Sequence, residues 1–412
     1  MGESSTAEPL RTLNLGSYNY LGYAEVPGGI DGKVLGTLHR YGVATCGASA
    51  GVVDIQRELE QLVARYLGKE DAVVSGMGFA TNAQLIPSIV GPGCLVVSDE
   101  MNHCSIVVGA RSSGAKIKVF RHNNVESLET ILRDAIVEGQ PLTGDPWLKI
   151  LIVVEGLYSM EGVTCRLRDI VAVKKKYNAY LYLDEAHSIG ALGRTGRGAG
   201  EYWDVDLKDI DIMMGTFTKS FGAVGGYVSG SRGLIDRIRY TSAGALYGTA
   251  MSPVCAEHIV YALKQIMGED GTKIGQEKIA QLHSNSIYFR RKLTEMGLQL
   301  YGDYDSPVIP IMLYLPSKIA AFSRECLKRG VAVVVVGFPA TPLILSRARI
   351  CLSAAHTRED LDLALDVIEE VADLLQLRYA FWKGEMDSPL SKGLPSCSSS
   401  VCSESSDGDD CE

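Results

Sequence analysis

Residues 209–230 read "DIDIMMGTFTKSFGAVGGYVSG", and the reading of this stretch decides the fold. Ile210, Ile212, Met213 and Met214 form an apolar run that predicts a buried strand over "DIDIMMGT" (209–216), and "GGYVSG" (225–230) predicts a second. Between them, a loop of small and hydroxyl residues holds one lysine, Lys219. An ammonium favours water. Taken alone, Lys219 therefore reads either as a solvated loop residue or as an amine held in a pocket to form a Schiff base. Only its setting along the chain can choose between the two.

Outward from this stretch the same pattern repeats. "DAVVSG" (71–76), "GCLVVSD" (93–99), "AKIKVF" (115–120), "KILIVVEG" (149–156) and "AYLYLDEA" (179–186) are strand candidates, several of them near-continuous apolar runs. Such runs are expected of strands buried on both faces. Helical patterns such as "VESLETILRDAIVEG" and "LRDIVAVKKKYN" separate them. The alternation predicts βαβ units, an α/β fold and a mostly parallel sheet. Functional residues of such a sheet gather beyond the carboxyl ends of its strands, where "SGMGFATN", "DEAH" and "TK" fall.

Near residue 275 long helices such as "IAQLHSNSIYFRRKLTEMG" take over, followed by the short strand candidates "SPVIPIMLYL", "GVAVVVVGF" and "RARICLSAA" and a closing helix "TREDLDLALDVIEEVADLL". This reads as a smaller α+β domain. The expected organisation is an N-terminal segment (1–35), a large domain (36–275), a small C-terminal domain (276–386) and a tail (387–412). The tail is an acidic, Ser/Cys-rich stretch too polar to fold.

The chain has 412 residues, 46% hydrophobic and 22% charged, the balance of a globular protein. Its net charge of −9, with no dense Lys/Arg stripe, argues against a nucleic-acid partner. No apolar run reaches the ~18 residues of a transmembrane segment, and the N-terminus has no signal-peptide core. The ten cysteines lack CxxC pairs and His-rich spacing. They read as reduced thiols, with neither a disulfide framework nor a metal site.

Asp184 ends the strand "AYLYLD", and His187 follows it. A carboxylate there, alone, reads as the N-cap of a following helix. Here a later strand ends near Lys219, and an acid and an amine from two strands can face each other across a sheet edge. That arrangement suits pyridoxal phosphate: the lysine holds the aldehyde as an imine and the acid keeps the pyridine nitrogen protonated. The phosphate needs donors. The backbone amides of Gly78 and Phe79 at a helix start and the hydroxyls of Thr216 and Thr218 offer them. His103, in "DEMNHCS", could stack on a cofactor ring.

Taken in order, "SYNYLG", "GMGFATN", "DEMNHCS", "VEGLYSMEG", "YLDEAHSIGALGRTGRG", "GTFTKSFGAVGGY" and "RARICLSAAHT" resemble the α-oxoamine synthases. These are pyridoxal-phosphate-dependent transferases of fold type I that condense an amino acid with an acyl-CoA. "MMGTFTKSFG", "DYDSPVIPIMLY" and "VVVVGFPATP" resemble the serine-using, catalytic branch of that family. Its other eukaryotic subunit lacks the imine-forming lysine.

The resemblance implies decarboxylative condensation of L-serine with a long-chain acyl-CoA, palmitoyl-CoA, to 3-ketosphinganine. By motif, Lys219 holds the cofactor and serves as acid/base at Cα, Asp184 pairs with the pyridine nitrogen, and His187 meets the phenolic oxygen. His103 stacks on the ring. Asn19 and Arg349 match positions that bind the amino-acid carboxylate, with Arg347 as the alternative arginine. Thr249 matches a hydroxyl reaching the neighbouring subunit's phosphate, which implies a homodimer or a heterodimer with a lysine-less homologue. The implied location is peripheral, on the cytosolic face of the endoplasmic reticulum, or cytoplasmic for a soluble form.

Two departures stand out. Where the family carries an Arg/Gly-rich loop followed by a histidine, "CGASAGVVDIQRELE" is shortened around Ala48, with Ala50 and Gly51 in that loop and Gln56 at the histidine's place, and the change bears on substrate access and subunit contact. The chain also starts almost at "NYLG", where such subunits carry a membrane-associating helix. Other implied readings are a family member that uses glycine or alanine with a shorter acyl-CoA, and a non-catalytic subunit.

Overall fold

The structure, a computed structural model, describes residues 11–25, 31–44 and 53–379. The strands are β1 Leu13–Asn14, β2 Asp71–Ser75, β3 Leu95–Asp99, β4 Lys116–Phe120, β5 Ile150–Glu155, the short hairpin β6 Leu157–Tyr158 and β7 Val163–Thr164, β8 Tyr180–Asp184, β9 Ile212–Thr216 and β10 Gly226–Gly230. Seven of them form one sheet in the order β2-β10-β9-β8-β5-β3-β4. Every strand expected between residues 71 and 230 is present in it.

β4, β3, β5, β8 and β9 pair in parallel. β10 runs antiparallel to both its neighbours. The loop carrying Lys219 explains the exception: it is too short for the crossover that a parallel return requires, so β10 must fold straight back on β9. β9 and β10 are buried along their whole length. Alternate side chains feed two apolar layers, Val97, Ile152, Leu183 and Met213 on one face and Val96, Val153, Tyr182 and Met214 on the other. At the β4 edge, Lys116 and Lys118 discourage pairing with another chain. At the β2 edge, Glu60 from the helix Asp54–Tyr66 accepts the Val74 N–H at 3.3 Å.

Beyond the sheet come the helices Pro253–Met267 and Ile274–Glu295, then β11 Val308–Tyr314, β12 Val331–Ala332, β13 Val334–Val336, β14 Ser346–Cys351 and the helix Arg358–Leu374. β11, β14 and β13 form an antiparallel sheet. Thr357 and Asp360 close a capping box at the start of the last helix.

The N-terminal segment is stitched to this second sheet. β1 pairs in parallel with β12, Cys351 donates its N–H to Leu15 O at 2.7 Å, and Ala354 donates to Tyr20 O at 2.7 Å. "CGASAG" (46–51) and the tail beyond residue 386 lie outside the described residues. Gln56 is buried in its helix, and its Oε1 has no hydrogen-bond partner among the described residues. Among those residues no helix is long and apolar enough to cross a membrane, and no His/Cys/Asp/Glu cluster could hold a metal ion.

Candidate active site

The carboxyl ends of β5, β8 and β9 open onto a cavity of about 340 Å³. Glu155 and Asp184 are register partners on adjacent parallel strands, so their side chains leave the sheet on the same side. Both are buried. No helix follows β8 directly; the next begins at Ala199. Asp184 is thus not a helix cap.

Its two oxygens are instead fixed from two directions. Oδ1 accepts the Ala186 N–H at 2.9 Å, and Oδ2 accepts Asn82 Nδ2 at 2.8 Å. Asn82 is itself locked, because Tyr182 donates its hydroxyl to Asn82 Oδ1 at 2.6 Å and Asn82 Nδ2 also reaches Ser105 Oγ at 3.0 Å. This chain of bonds fixes where the carboxylate points.

Lys219 faces the same cavity, its Nζ 5.6 Å from the centre of the Tyr18 ring. Burial lowers its pKa to about 8, against the pull of Asp184 and with the help of the Arg349 charge. It is therefore not a solvated loop residue but an amine that is partly neutral near physiological pH. Burial also drives the buried His187 well below its ordinary range, aided by Lys219, Arg349 and His103. His187 Nδ1 lies 2.9 Å from the Tyr20 hydroxyl.

His103 caps the helix Cys104–Ser112, its Nδ1 accepting the Ser105 N–H at 3.3 Å. Burial is the first cause of its lowered pKa. Phe79 meets its ring edge-on, centroids 6.1 Å apart.

The helix Gly78–Ile89 points its N-terminus at the cavity, and its N-cap Met77 offers no side-chain hydrogen bond. The first-turn N–H groups are thus open to an anion. A Cβ on Gly78 would stand 2.6 Å from Thr216 Oγ1, so a side chain there would close the cradle. Thr216 spends its one hydroxyl proton on Gly225 O at 2.9 Å, and its oxygen lies 2.9 Å from Thr218 Oγ1. Of the two threonines, the exposed Thr218 is the one able to turn to a ligand.

Arg349 and Arg347 lie on the same face of β14 but have different surroundings. Arg347 donates to Met160 O at 2.9 Å and faces Glu161 at 3.4 Å. Arg349 stacks on Tyr18, 4.4 Å from the ring centre, and its Nε has no hydrogen-bond partner among the described residues. Asn19 does not line the cavity; its Oδ1 accepts the Ala24 N–H at 3.1 Å. Thr249 is exposed and lies off the cavity, its carbonyl against Gly76.

Sequence reasoning missed several residues that build this site. Glu155 lies in "VEGLYSMEG" at a strand end, the same signal that marks Asp184. It accepts the His103 N–H at 2.5 Å. Burial, and next the Asp184 charge, hold its carboxyl protonated well above the usual carboxylate range. Asn82, Ser105, Tyr18 and Tyr20 carry no signal of their own, since each is defined by partners distant in sequence.

An amine that loses its proton near neutrality, a fixed carboxylate and an open helix N-terminus surround one cavity. That donor set fits pyridoxal phosphate, which needs an imine partner, an anion at its ring nitrogen and donors for its phosphate. A larger cavity, of about 530 Å³, opens at the other end of the sheet. Two of its lysines are already engaged: Lys149 donates to Ile89 O at 3.0 Å, and Lys69 donates to the carbonyls of Leu207 and Ile210.

A family profile described as aminotransferase class I and II matches residues 12–368. Serine palmitoyltransferase 2 of Dictyostelium discoideum is 54% identical over 379 residues, 92% of this chain and 77% of that protein. Long chain base biosynthesis protein 2a of Arabidopsis thaliana is 54% identical over 376 residues, 91% of this chain and 77% of that protein. A solved structure described as SPT with PLP internal aldimine superposes with a TM-score of 0.81 at 29% identity, covering 89% of this chain and 88% of that one.

Proposed function

This chain belongs to the aminotransferase class I and II family and, within it, to the serine palmitoyltransferases, and from that premise we propose how its own residues carry out the reaction. The substrates are L-serine and a long-chain acyl-CoA; the products are 3-ketosphinganine, CO2 and CoA. Pyridoxal phosphate, when bound, supplies the sink for the electron pair left at the serine Cα. The observation that carries the reading is one half-buried amine, Lys219, with a pKa of about 8, facing a carboxylate held from two sides.

Lys219 would hold the cofactor through its Nζ, and the same nitrogen, when neutral, would take the serine Cα proton. Asp184 would keep a proton on the pyridine nitrogen of the cofactor, and Asn82 keeps Asp184 aimed. His103 would cover the cofactor ring; it is held by Glu155 through its N–H and by Ser105 at its side chain. Arg349, whose buried Nε has no partner among the described residues and whose terminal nitrogen meets Met160 Sδ at 3.5 Å, would receive the serine carboxylate; Arg347, occupied by Met160 O and Glu161, holds the second sheet in place. The first-turn amides at Gly78 and Phe79, with Thr218, would hold the cofactor's phosphate.

We assign the assembly to a dimer, either of this chain or with a lysine-less homologue. Thr249 supports this: its hydroxyl is exposed and off its own cavity, where a neighbouring subunit could use it. The expected location, the cytosolic face of the endoplasmic reticulum, rests on the family resemblance.

The test incubates purified protein with L-serine and palmitoyl-CoA, with and without a lysine-less homologous subunit, and looks for 3-ketosphinganine by mass spectrometry. Glycine and alanine run in parallel. Product from glycine or alanine but none from serine would overturn the reading.

A further inference from the structure

We propose that Tyr20 is a positioning residue that fixes the tautomer of His187, so that the ring carries its proton on Nε2 and presents an N–H to the cofactor. The inference rests on the cofactor-site reading above and deepens it. It starts from a closed count of protons. Tyr20 is fully buried, and His187 Nδ1, at 2.9 Å, is the one hydrogen-bond partner of its hydroxyl among the described residues. Burial raises the phenol well above its ordinary range, so it keeps its proton. Burial, with Lys219 and Arg349 nearby, keeps His187 neutral.

A neutral imidazole has one N–H and one bare nitrogen. Were the proton on Nδ1, it would point at the phenol oxygen and the phenol's own proton would have nowhere to go. With the proton on Nε2, the phenol donates to the bare Nδ1 and both groups are satisfied. His187 lines the cofactor cavity, and its Nε2 has no protein partner among the described residues. Tyr18 packs edge-on against the imidazole, centroids 4.7 Å apart at 76°, which opposes a ring flip that would exchange the two sides. The N–H is therefore aimed before any cofactor arrives, and it suits an anionic oxygen on the ring.

This makes a testable separation between Tyr20 as core packing and Tyr20 as a tautomer lock. The 15N chemical shifts of the seven histidines are measured in the cofactor-free protein, with His187→Asn supplying the assignment. The wild type should show His187 protonated at Nε2, and Tyr20→Phe should shift it to a mixture of tautomers. In the holoenzyme Tyr20→Phe should raise the dissociation constant for pyridoxal phosphate by about three- to tenfold and change the visible band of the bound cofactor. In a His187→Asn background the same Tyr20→Phe change should add nothing, because its route is gone.

An Nδ1 proton in the wild type overturns the proposal, as does an unchanged tautomer in Tyr20→Phe or an equal effect of Tyr20→Phe in both backgrounds. Should the phenylalanine variant fail to fold, an Nδ1 proton in the wild type still overturns the proposal. A wild type that binds no pyridoxal phosphate would instead sink the cofactor reading, and the tautomer measurement would still stand.

Discussion

At Lys219 the question is one of proton affinity. A solvated lysine stays charged through the whole physiological range, whereas burial brings this one to about 8. Only the neutral amine attacks an aldehyde. The rate at which cofactor-free protein captures pyridoxal phosphate, followed by stopped-flow absorbance, should therefore rise with pH around a midpoint near 8. A midpoint above 10 would show an ordinary lysine. Stability follows the same proton. Between pH 8 and the unperturbed 10.5, the unfolded chain binds a proton that the folded chain has released, so this group makes the cofactor-free protein more stable as pH rises. Lys219→Met should remove that slope.

Glu155 has the opposite sign. Folding holds its proton well above 4.5, where the unfolded side chain has lost it, so its contribution to stability falls as pH climbs past 4.5. Glu155→Gln should flatten this dependence while still accepting the His103 N–H. Glu155→Leu strands that N–H and should cost about 1–3 kcal/mol, read from urea unfolding at neutral pH.

Among the elements, the helix Gly78–Ile89 is the one proposed to hold a phosphate. Its N-terminus works as an anion site only because Gly78 brings no Cβ against Thr216. Thr216 cannot easily retreat, since its hydroxyl is tied to Gly225 O. Gly78→Ala should therefore weaken cofactor binding about tenfold or more, near 1.4 kcal/mol, measured by fluorescence titration. Gly233→Ala is the fitting control, because a Cβ there meets nothing within 4 Å. Equal effects from the two would mean that the close approach to Thr216 has no consequence.

Over the whole molecule, the site exists only because two sheets and the N-terminal segment meet. The seven-stranded sheet contributes Glu155, Asp184 and the loop with Lys219; the second sheet contributes Arg349; and the segment sewn between them brings Tyr18 and Tyr20. The two arginines should accordingly fail differently. Arg349→Gln should raise the KM for serine about 10- to 100-fold while the cofactor's absorbance stays. Arg347→Gln should lower stability by about 2–3 kcal/mol with a smaller change in KM, since its partners are Met160 O and Glu161. Steady-state kinetics beside thermal unfolding separates the two, and a serine KM raised equally by both would merge their roles.

The amino-acid order alone determined the strands, because a strand buried on both faces must be apolar along its length, as 212–216 is. It also marked Lys219 and Asp184, since a polar residue ending such a run falls at the sheet's functional edge. Resemblance put Arg349 ahead of Arg347, but strand pattern gave no physical reason for it: two residues apart on a strand, they share a face, and Glu161 and Tyr18 make the distinction from elsewhere in the chain. Tyr20 and Asn82 escaped for the same reason. Each owes its role to a partner more than a hundred residues away, His187 or Asp184. Local pattern reports what a residue's neighbours in sequence require, whereas proton placement and charge pairing depend on which groups the tertiary fold brings within about 3 Å.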